Sequence, residues 1–188
     1  MDKIKELDTQ LFLYLNGKHN SFFDPIMYWA SDKMFWIPFY ILILIIVIRE
    51  FKKKSGYVLL GVGFLIFICD QTASHIIKQT VKRLRPSHEP GLLNVIHLSK
   101  AGPGGQYGFI SSHTANAFGL ATFLILILPH KYNGFKKVLL LWAILVAYSR
   151  IYNGVHYPSD VLVAMILGII YGYLVKTILF KLKPFQTN

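Results

Sequence analysis

The residues best suited to chemistry form three separate clusters in this sequence of 188 residues. The cluster nearest the C-terminus covers residues 149–160 and contains His156 and, four positions later, Asp160. A carboxylate at that spacing can accept a hydrogen bond from one ring nitrogen, which fixes the tautomer and leaves the other nitrogen free as a base or nucleophile. Arg150 precedes the pair, and Pro158 is typical of a first helical turn. This cluster predicts nucleophilic or acid–base chemistry.

The first cluster, residues 78–86, is strongly basic. Lys78, Lys82 and Arg85 follow one another at four- and three-residue steps, so a continuous helix would place all three on one face. Such a row of cations suits a multiply charged anion such as phosphate, and an arginine can bind two of its oxygens at once. Ordinary basic residues beside a membrane helix are the alternative interpretation.

The second cluster consists of Ser111, Ser112 and His113, directly before an apolar stretch. Small hydroxyl residues at that place favour a helix N-cap, where backbone N–H groups and the helix dipole attract an anion. A histidine there can supply a proton near neutral pH. The alternative is a capped helix with a histidine at the membrane interface.

The composition indicates that these clusters belong to an integral membrane protein. Hydrophobic residues make up 54% of the chain and charged residues 15%, against about 25% charged residues in soluble proteins. Five apolar stretches are present, at 34–48, 56–69, 114–129, 138–148 and 161–175. Each is shorter than the roughly 20 residues of a spanning helix but can be extended into its flanks, the second one past Lys78. We expect an all-α transmembrane bundle of five spans in a single domain, residues 1–188.

Three other segments have a predicted place in this bundle. Residues 1–31 mix apolar and polar positions, which favours an amphipathic N-terminal helix in the membrane interface or, alternatively, a sixth span beginning near Phe22. Residues 86–110 are rich in proline and glycine and form a long outer loop near the site. Gly168 and Gly172 form a GxxxG pattern, which we interpret as internal helix packing rather than dimerisation.

The charge distribution predicts an orientation. The net charge is +11, which in a soluble protein would indicate nucleic acid, but here the short turns at 49–54 and 131–137 concentrate lysines and arginines beside the apolar stretches. Those turns are expected in the cytoplasm, and the 86–110 loop outside. Asp70, at membrane depth, is a functional candidate by default, with a structural pairing to a nearby cation as the alternative.

Taken together, the three clusters resemble the signature of the type 2 phosphatidic acid phosphatase (PAP2) superfamily. Lys-x6-Arg-Pro occurs at 78–86, Ser-x-His at 111–113 and Ser-Arg-x5-His-x3-Asp at 149–160, in the family's order. The middle motif usually reads Pro-Ser-Gly-His, and this chain has Ile110 and Ser112 in place of the proline and glycine.

The resemblance implies a role for each matching residue. His156 would attack phosphorus and form a phosphohistidine, Asp160 would hold its imidazole, and His113 would protonate the leaving oxygen. The phosphate oxygens would be bound by Lys78, Arg85, Ser111, Ser112 and Arg150. Because three cations can balance the phosphate charge, neither a metal ion nor another cofactor is expected. Further histidines, at 75, 88 and 97, are interpreted as solvent or packing residues.

The resemblance also implies a substrate class and a location. We expect a hydrolase of lipid phosphates or diphosphates in a bacterial inner (cytoplasmic) membrane, with its site facing the periplasm or cell exterior and no nucleic-acid partner. Undecaprenyl diphosphate is the favoured substrate; phosphatidylglycerophosphate and the phosphates of lipid A are alternatives. A lipid or anion transporter without turnover is the alternative of another class, but it gives His113 and His156 no task. Oligomeric state stays open.

Overall fold

The computed structural model describes residues 2–182 and Phe185, and among them it contains helices and turns but no β-strand. The α-helices are α1 (Asp2–Asn16), α2 (Phe23–Ser31), α3 (Ile37–Phe51), α4 (Ser55–Asp70), α5 (Lys78–Val81), α6 (Ser112–Ile127), α7 (Asn133–Tyr152) and α8 (Pro158–Lys181). A π-helix, Gln71–Ile77, joins α4 to α5 without a break. This run confirms that the helix of the second apolar stretch continues past Lys78.

Within the described part of the chain, two helical stretches are long and apolar enough to cross a membrane. They are Ile37–Val81 and Pro158–Lys181, with mean hydropathies of 1.6 and 2.1. The first stretch is not one straight rod, because Lys52 has a φ of 47° that ends α3. Val47 on α3 and Leu59 on α4 then line the same cavity, so the chain reverses at the lysines between them. The apolar helix α6 is shorter, with 16 residues, and the count of five spans stays a prediction.

The centre of the molecule is the contact between α6 and α8. A Cβ atom on Gly168 would lie 2.4 Å from the carbonyl oxygen of Ala115, and one on Gly172 would lie 2.7 Å from that of Gly119. Only glycine therefore fits at these two positions of α8, and its absence of a side chain lets the two backbones meet. The prediction that the GxxxG pattern serves internal packing is confirmed.

The N-terminal segment forms two helices that pack on α7 and on the start of α8. Phe12 on α1 is fully buried, and its ring lies edge-on to Tyr157 at 5.5 Å between centroids. The helix α2 has nine residues, about 14 Å at 1.5 Å per residue. That is less than half of a hydrocarbon core about 30 Å thick, so α2 by itself does not make the sixth span considered near Phe22.

Candidate active site

His156 lies in the short connection between α7 and α8, with only 1% of its surface exposed. Asp160 follows in the first turn of α8, which begins at Pro158 as predicted. The carboxylate Oδ2 of Asp160 accepts a hydrogen bond from the backbone N–H of Tyr157 at 3.0 Å. The same Oδ2 lies 3.5 Å from Nδ1 of His156, which places the two groups face to face but beyond a good hydrogen-bond length.

Arg85 occupies the other side of the imidazole. Its Nη1 donates to Nε2 of His156 at 3.2 Å and to the carbonyl of Val155 at 3.3 Å, and its Nε donates to the carbonyl of Tyr107 at 3.2 Å. Nε2 is thus the nitrogen that carries the lone pair. Burial, reinforced by the charges of Arg85 and Arg150, lowers the pKa of His156 well below its ordinary value. The imidazole is therefore neutral at pH 7, as a nucleophile must be.

The basic cluster does not form one helix face. Helix α5 ends because Lys82 takes a left-handed conformation with φ of 51°. Arg85 then follows in extended backbone, with φ of −71° and ψ of 157°. The prediction that Lys78, Lys82 and Arg85 share a helix face is wrong, and Lys82 is exposed. Pro86 explains the extended conformation of Arg85, because a proline disfavours helical conformation in the residue before it.

The second cluster begins α6 as predicted. Ser111 is the N-cap, and its Oγ accepts hydrogen bonds from the backbone N–H of Thr114 at 3.4 Å and from the hydroxyl of that residue at 3.0 Å. The backbone N–H of Ser111 donates to the carbonyl of Asp160 at 3.2 Å, which joins this cluster to the third. Lys78 Nζ donates to Oγ of Ser112 at 3.5 Å. Ser112 is thus the serine whose hydroxyl faces a cation, while the buried Ser111 side chain is committed to the helix start.

The remaining site residues lie around the same point. Arg150, in the last turn of α7, is 9% exposed, and its Nη1 donates to the hydroxyl of Ser31 at the end of α2. His113 lies half-buried in the first turn of α6. Both His113 and His156 lie within electrostatic reach of Lys78, Arg85 and Arg150. The structure therefore brings together the predicted histidines and all three predicted cations.

Asp70 lies one helical segment before this group of cations. Its Oδ1 accepts a hydrogen bond from the hydroxyl of Ser74 at 3.4 Å, and its charge acts on Lys78. The geometry thus favours the structural alternative, a partner for a nearby cation. The π-helix between Asp70 and Lys78 is a rare element that often occurs next to functional sites.

A cavity of about 370 Å³ adjoins the site between α3, α4, α6 and α7. Its walls are mostly apolar, with residues such as Ile43, Ile66 and Trp142. Polar groups, including His113 and Lys33, line the cavity as well. An apolar pocket next to the cations suits a ligand with an anionic head and an aliphatic body.

Arg83 is a site residue that the sequence analysis missed. Its Nη1 donates to Oδ1 of Asp160 at 3.0 Å and to the hydroxyl of Ser159 at 2.7 Å, while its Nη2 donates to Oδ2 of Asp8 at 2.6 Å. The guanidinium carbon also lies 3.8 Å from the ring centroid of Tyr157. The sequence indicated Arg83 only through its place inside the basic cluster. It gave no indication that Asp8, far away in the amphipathic helix α1, would be a partner of Arg83.

Apolar helices around a buried histidine, its aspartate and several cations are typical of a membrane protein whose site suits a phosphate-like anion. The chain belongs to the PAP2 superfamily, which it matches over residues 53–184. The resemblance seen in the three sequence clusters is confirmed. Membership makes the chain one of a family of phosphatases that hydrolyse lipid phosphate esters.

Individual relatives cover most of the chain. It is 36% identical to the lipid A 4′-phosphatase of Bacteroides thetaiotaomicron, over 95% of this chain and 80% of that protein. It is 29% identical to the undecaprenyl-diphosphatase of Sulfolobus acidocaldarius, over 86% of this chain and 73% of that protein. The crystal structure of Aquifex aeolicus LpxE matches with a TM-score of 0.68 and 27% identity, over 91% of this chain and 95% of that one.

Proposed function

We propose that the protein removes a terminal phosphate from a membrane lipid, with a phosphorylated glycolipid of the lipid A type as the favoured substrate. The observation that carries the proposal is the buried, neutral imidazole of His156, held between Asp160 and Arg85. The relative at 36% identity supports lipid A before undecaprenyl diphosphate, which the sequence alone had favoured. The relative at 29% identity keeps undecaprenyl diphosphate as the second candidate.

In the first step, Nε2 of His156 attacks the phosphorus and the bond to the lipid oxygen breaks. His113, which takes up a proton when the anionic phosphate binds beside it, gives that proton to the leaving oxygen, so the lipid departs as a neutral alcohol. Because Nη1 of Arg85 donates to Nε2 before the substrate arrives, the phosphate must first take over this guanidinium. Arg85 then holds a phosphate oxygen, and the lone pair of His156 is released for attack.

In the second step, water attacks the phosphohistidine while His113, now neutral, accepts a proton from it. The bond between phosphorus and Nε2 breaks, inorganic phosphate leaves and both histidines return to their starting states. Asp160 stabilises the positive charge that His156 carries during the cycle. Lys78, Arg85 and Arg150 stabilise the charge on the transferring phosphoryl group, which is the main demand of phosphoryl transfer.

The cavity beside the site supports a lipid as the substrate. His113 lies on its wall, so a headgroup at the cations would place an aliphatic chain against α3, α4 and α7. The chain would pass from the hydrocarbon of the bilayer into a cavity that is apolar as well, so it stays in an apolar environment while the phosphate meets the cations. This arrangement explains how one protein can hold a charged phosphate and a hydrocarbon body together.

Phosphate release from detergent-dispersed lipids tests the proposal. The panel contains a lipid A phosphate, undecaprenyl diphosphate, phosphatidylglycerophosphate and phosphatidate, each with and without EDTA. We expect the fastest release from lipid A and little loss in EDTA, because cationic side chains balance the phosphate charge. We also expect His156→Ala to lower the rate by about 10⁴-fold or more. Release at the wild-type rate from that variant would remove the nucleophile, and binding without release would favour the transporter alternative.

We also propose that the site faces the periplasm or cell exterior, since the lysines of 52–54 and 131–137 lie in short turns beside apolar helices. Cysteine labelling in spheroplasts tests this orientation. Lys100 and Asn133 are both exposed, whereas the native Cys69 is buried. Lys100→Cys should react with a membrane-impermeant reagent, and Asn133→Cys only after permeabilisation. The reverse pattern would place the site in the cytoplasm.

A further inference from the structure

Two histidines and an aspartate meet in a second cluster, away from the catalytic residues. His19 belongs to the turn after α1, Asp24 to the first turn of α2, and His97 to the 86–110 loop. One potential ligand atom from each lies within 4.8 Å of the other two. The interpretation of His97 as a solvent or packing residue is therefore incomplete, since its distance along the chain from His19 and Asp24 hides their proximity.

We propose that His19, Asp24 and His97 form a binding site for a divalent transition-metal ion of the zinc type, which fastens the α1–α2 turn to the 86–110 loop. Two imidazoles and one carboxylate are a donor set that zinc commonly uses, whereas magnesium and calcium prefer oxygen ligands alone. Water would complete the coordination at the exposed side of His19.

His97 is the best prepared of the three ligands. Its Nε2 is shielded from solvent and makes no hydrogen bond of acceptable geometry among the described residues, although Oδ1 of Asp24 is only 3.3 Å away. A metal ion binds an imidazole through a ring nitrogen that carries no proton. Nε2 of His97, next to the Asp24 carboxylate, is the atom placed to bind it.

The surroundings hold two of the ligands in place. The hydroxyl of Tyr152 donates to Oδ1 of Asp24 at 2.7 Å. Asn16 fixes the backbone of His97 from both sides, since its Nδ2 donates to the carbonyl at 2.9 Å and its Oδ1 accepts from the N–H at 2.7 Å. Hydrogen bonds of this kind, one shell beyond the ligands, orient the groups that bind a metal.

Only His19 has to move to complete the site. Its ring stacks on that of His97 with 4.0 Å between centroids and 5° between planes. An ion shared by both rings must lie in the plane of each, so the exposed His19 ring has to turn out of the stack. Tetrahedral zinc separates its ligand atoms by about 3.4 Å at bond lengths of about 2.0–2.1 Å, and the required closure from the present spacing is on the order of 1 Å.

Zinc titration of the purified, chelator-treated protein in detergent tests the site, with the unfolding temperature and calorimetry as readouts. His19→Ala is the test variant, because an exposed side chain can be removed without disturbing the fold. His130→Ala, at an exposed histidine in the α6–α7 turn, is the matched control. We expect stoichiometric zinc to raise the unfolding temperature of the wild type and of the control, and to bind His19→Ala at least tenfold more weakly.

Three outcomes would overturn the proposal: no zinc-dependent shift in the wild type, an unchanged zinc affinity in His19→Ala, or an equal response to magnesium. Unchanged affinity would place the ion elsewhere, for example on the catalytic histidines. Phosphate release in EDTA gives an independent reading, because the catalytic steps use no ion from this cluster. A zinc-dependent stability together with chelator-resistant turnover is therefore the combined result that we expect.

Discussion

This molecule has an apolar half, centred on the contact between α6 and α8, and a polar half, which contains Asp8, Arg83 and Asp160. The two halves are held together in different ways. In the apolar half, α6 and α8 meet backbone to backbone at Gly168 and Gly172, with no room for a single added carbon. In the polar half, charged and amide side chains reach across long stretches of sequence, as Arg83 does to Asp8 and Asp160. Close packing in the apolar half fixes the positions of the helix ends. Hydrogen bonds and ion pairs in the polar half then orient the side chains at those ends.

The helix contact determines the stability of the fold, whereas the polar contacts determine the alignment of the side chains around His156. A change in the helix contact should remove the fold itself, because the interior of a helix bundle cannot expand locally to admit new atoms. A change in the hydrogen bonds and ion pairs of the polar half should leave the helices folded but displace His156 or the residues that contact it. The two kinds of change therefore predict different ratios of lost stability to lost activity.

Gly168→Val should have the largest effect. The new Cβ would lie 2.4 Å from the carbonyl oxygen of Ala115 and 2.9 Å from the nitrogen of Gly119, and backbone atoms cannot move aside. We expect a loss of at least about 3 kcal/mol, or about 10 °C in unfolding temperature, and no activity. Gly63→Val is the control, because a Cβ there has no neighbour within 4 Å. Normal thermal unfolding of Gly168→Val would contradict the account of the α6–α8 contact.

Arg83→Gln should have a large effect on turnover and a smaller one on folding. The change removes the ion pairs with Asp160 and Asp8, and a misplacement of a catalytic group by about 1 Å costs about 10²-fold in rate. We expect kcat to fall by that factor with KM nearly unchanged, since Arg83 acts on the carboxylate rather than on phosphate. The exposed Lys82→Gln should behave like wild type. A rise in KM alone would make Arg83 a phosphate ligand.

Asn16→Ala should have the smallest effect on activity. Its buried amide bonds to the backbone of His97 and to the carbonyl of Tyr152, at 2.8 Å for the latter. Its removal should lower the unfolding temperature by about 5 °C and the rate by only severalfold, because the catalytic side chains keep their own contacts. Gln10→Ala, on the exposed face of α1, is the control. A loss of activity as large as that of Arg83→Gln would contradict this prediction, because it would show that the hydrogen bonds of Asn16 also align the catalytic side chains.

Sequence order and residue type were enough to predict which residues the structure brings together around His156. His113, His156 and the three cations each lie in a short run with characteristic spacing, and their catalytic roles stay a prediction. Local rules also predicted the N-cap at Ser111 and the helix start at Pro158. Such features depend on neighbours in the chain, which the sequence displays directly.

The rest depended on contacts between distant segments. Nothing in the N-terminal sequence indicated that Asp8 would meet Arg83, or that Ser31 would accept a hydrogen bond from Arg150. The shared helix face predicted for Lys82 and Arg85 failed because helical periodicity was extended through the residues before a proline. The meeting of His97 with Asp24 could not be inferred either, since it requires the 86–110 loop to fold over α2.

The hydrogen bond from Arg85 to His156 has a consequence for selectivity within the membrane. Phosphodiester headgroups surround the protein in vast excess, and each carries one negative charge. A terminal phosphate carries close to two and accepts charge-assisted hydrogen bonds more strongly, so it competes better for the guanidinium that caps the nucleophile. Under the proposed mechanism, the phospholipids of the bilayer leave the imidazole shielded, whereas a terminal phosphate displaces Arg85 and exposes Nε2 of His156. We therefore expect little inhibition of the protein by the phosphodiester lipids around it.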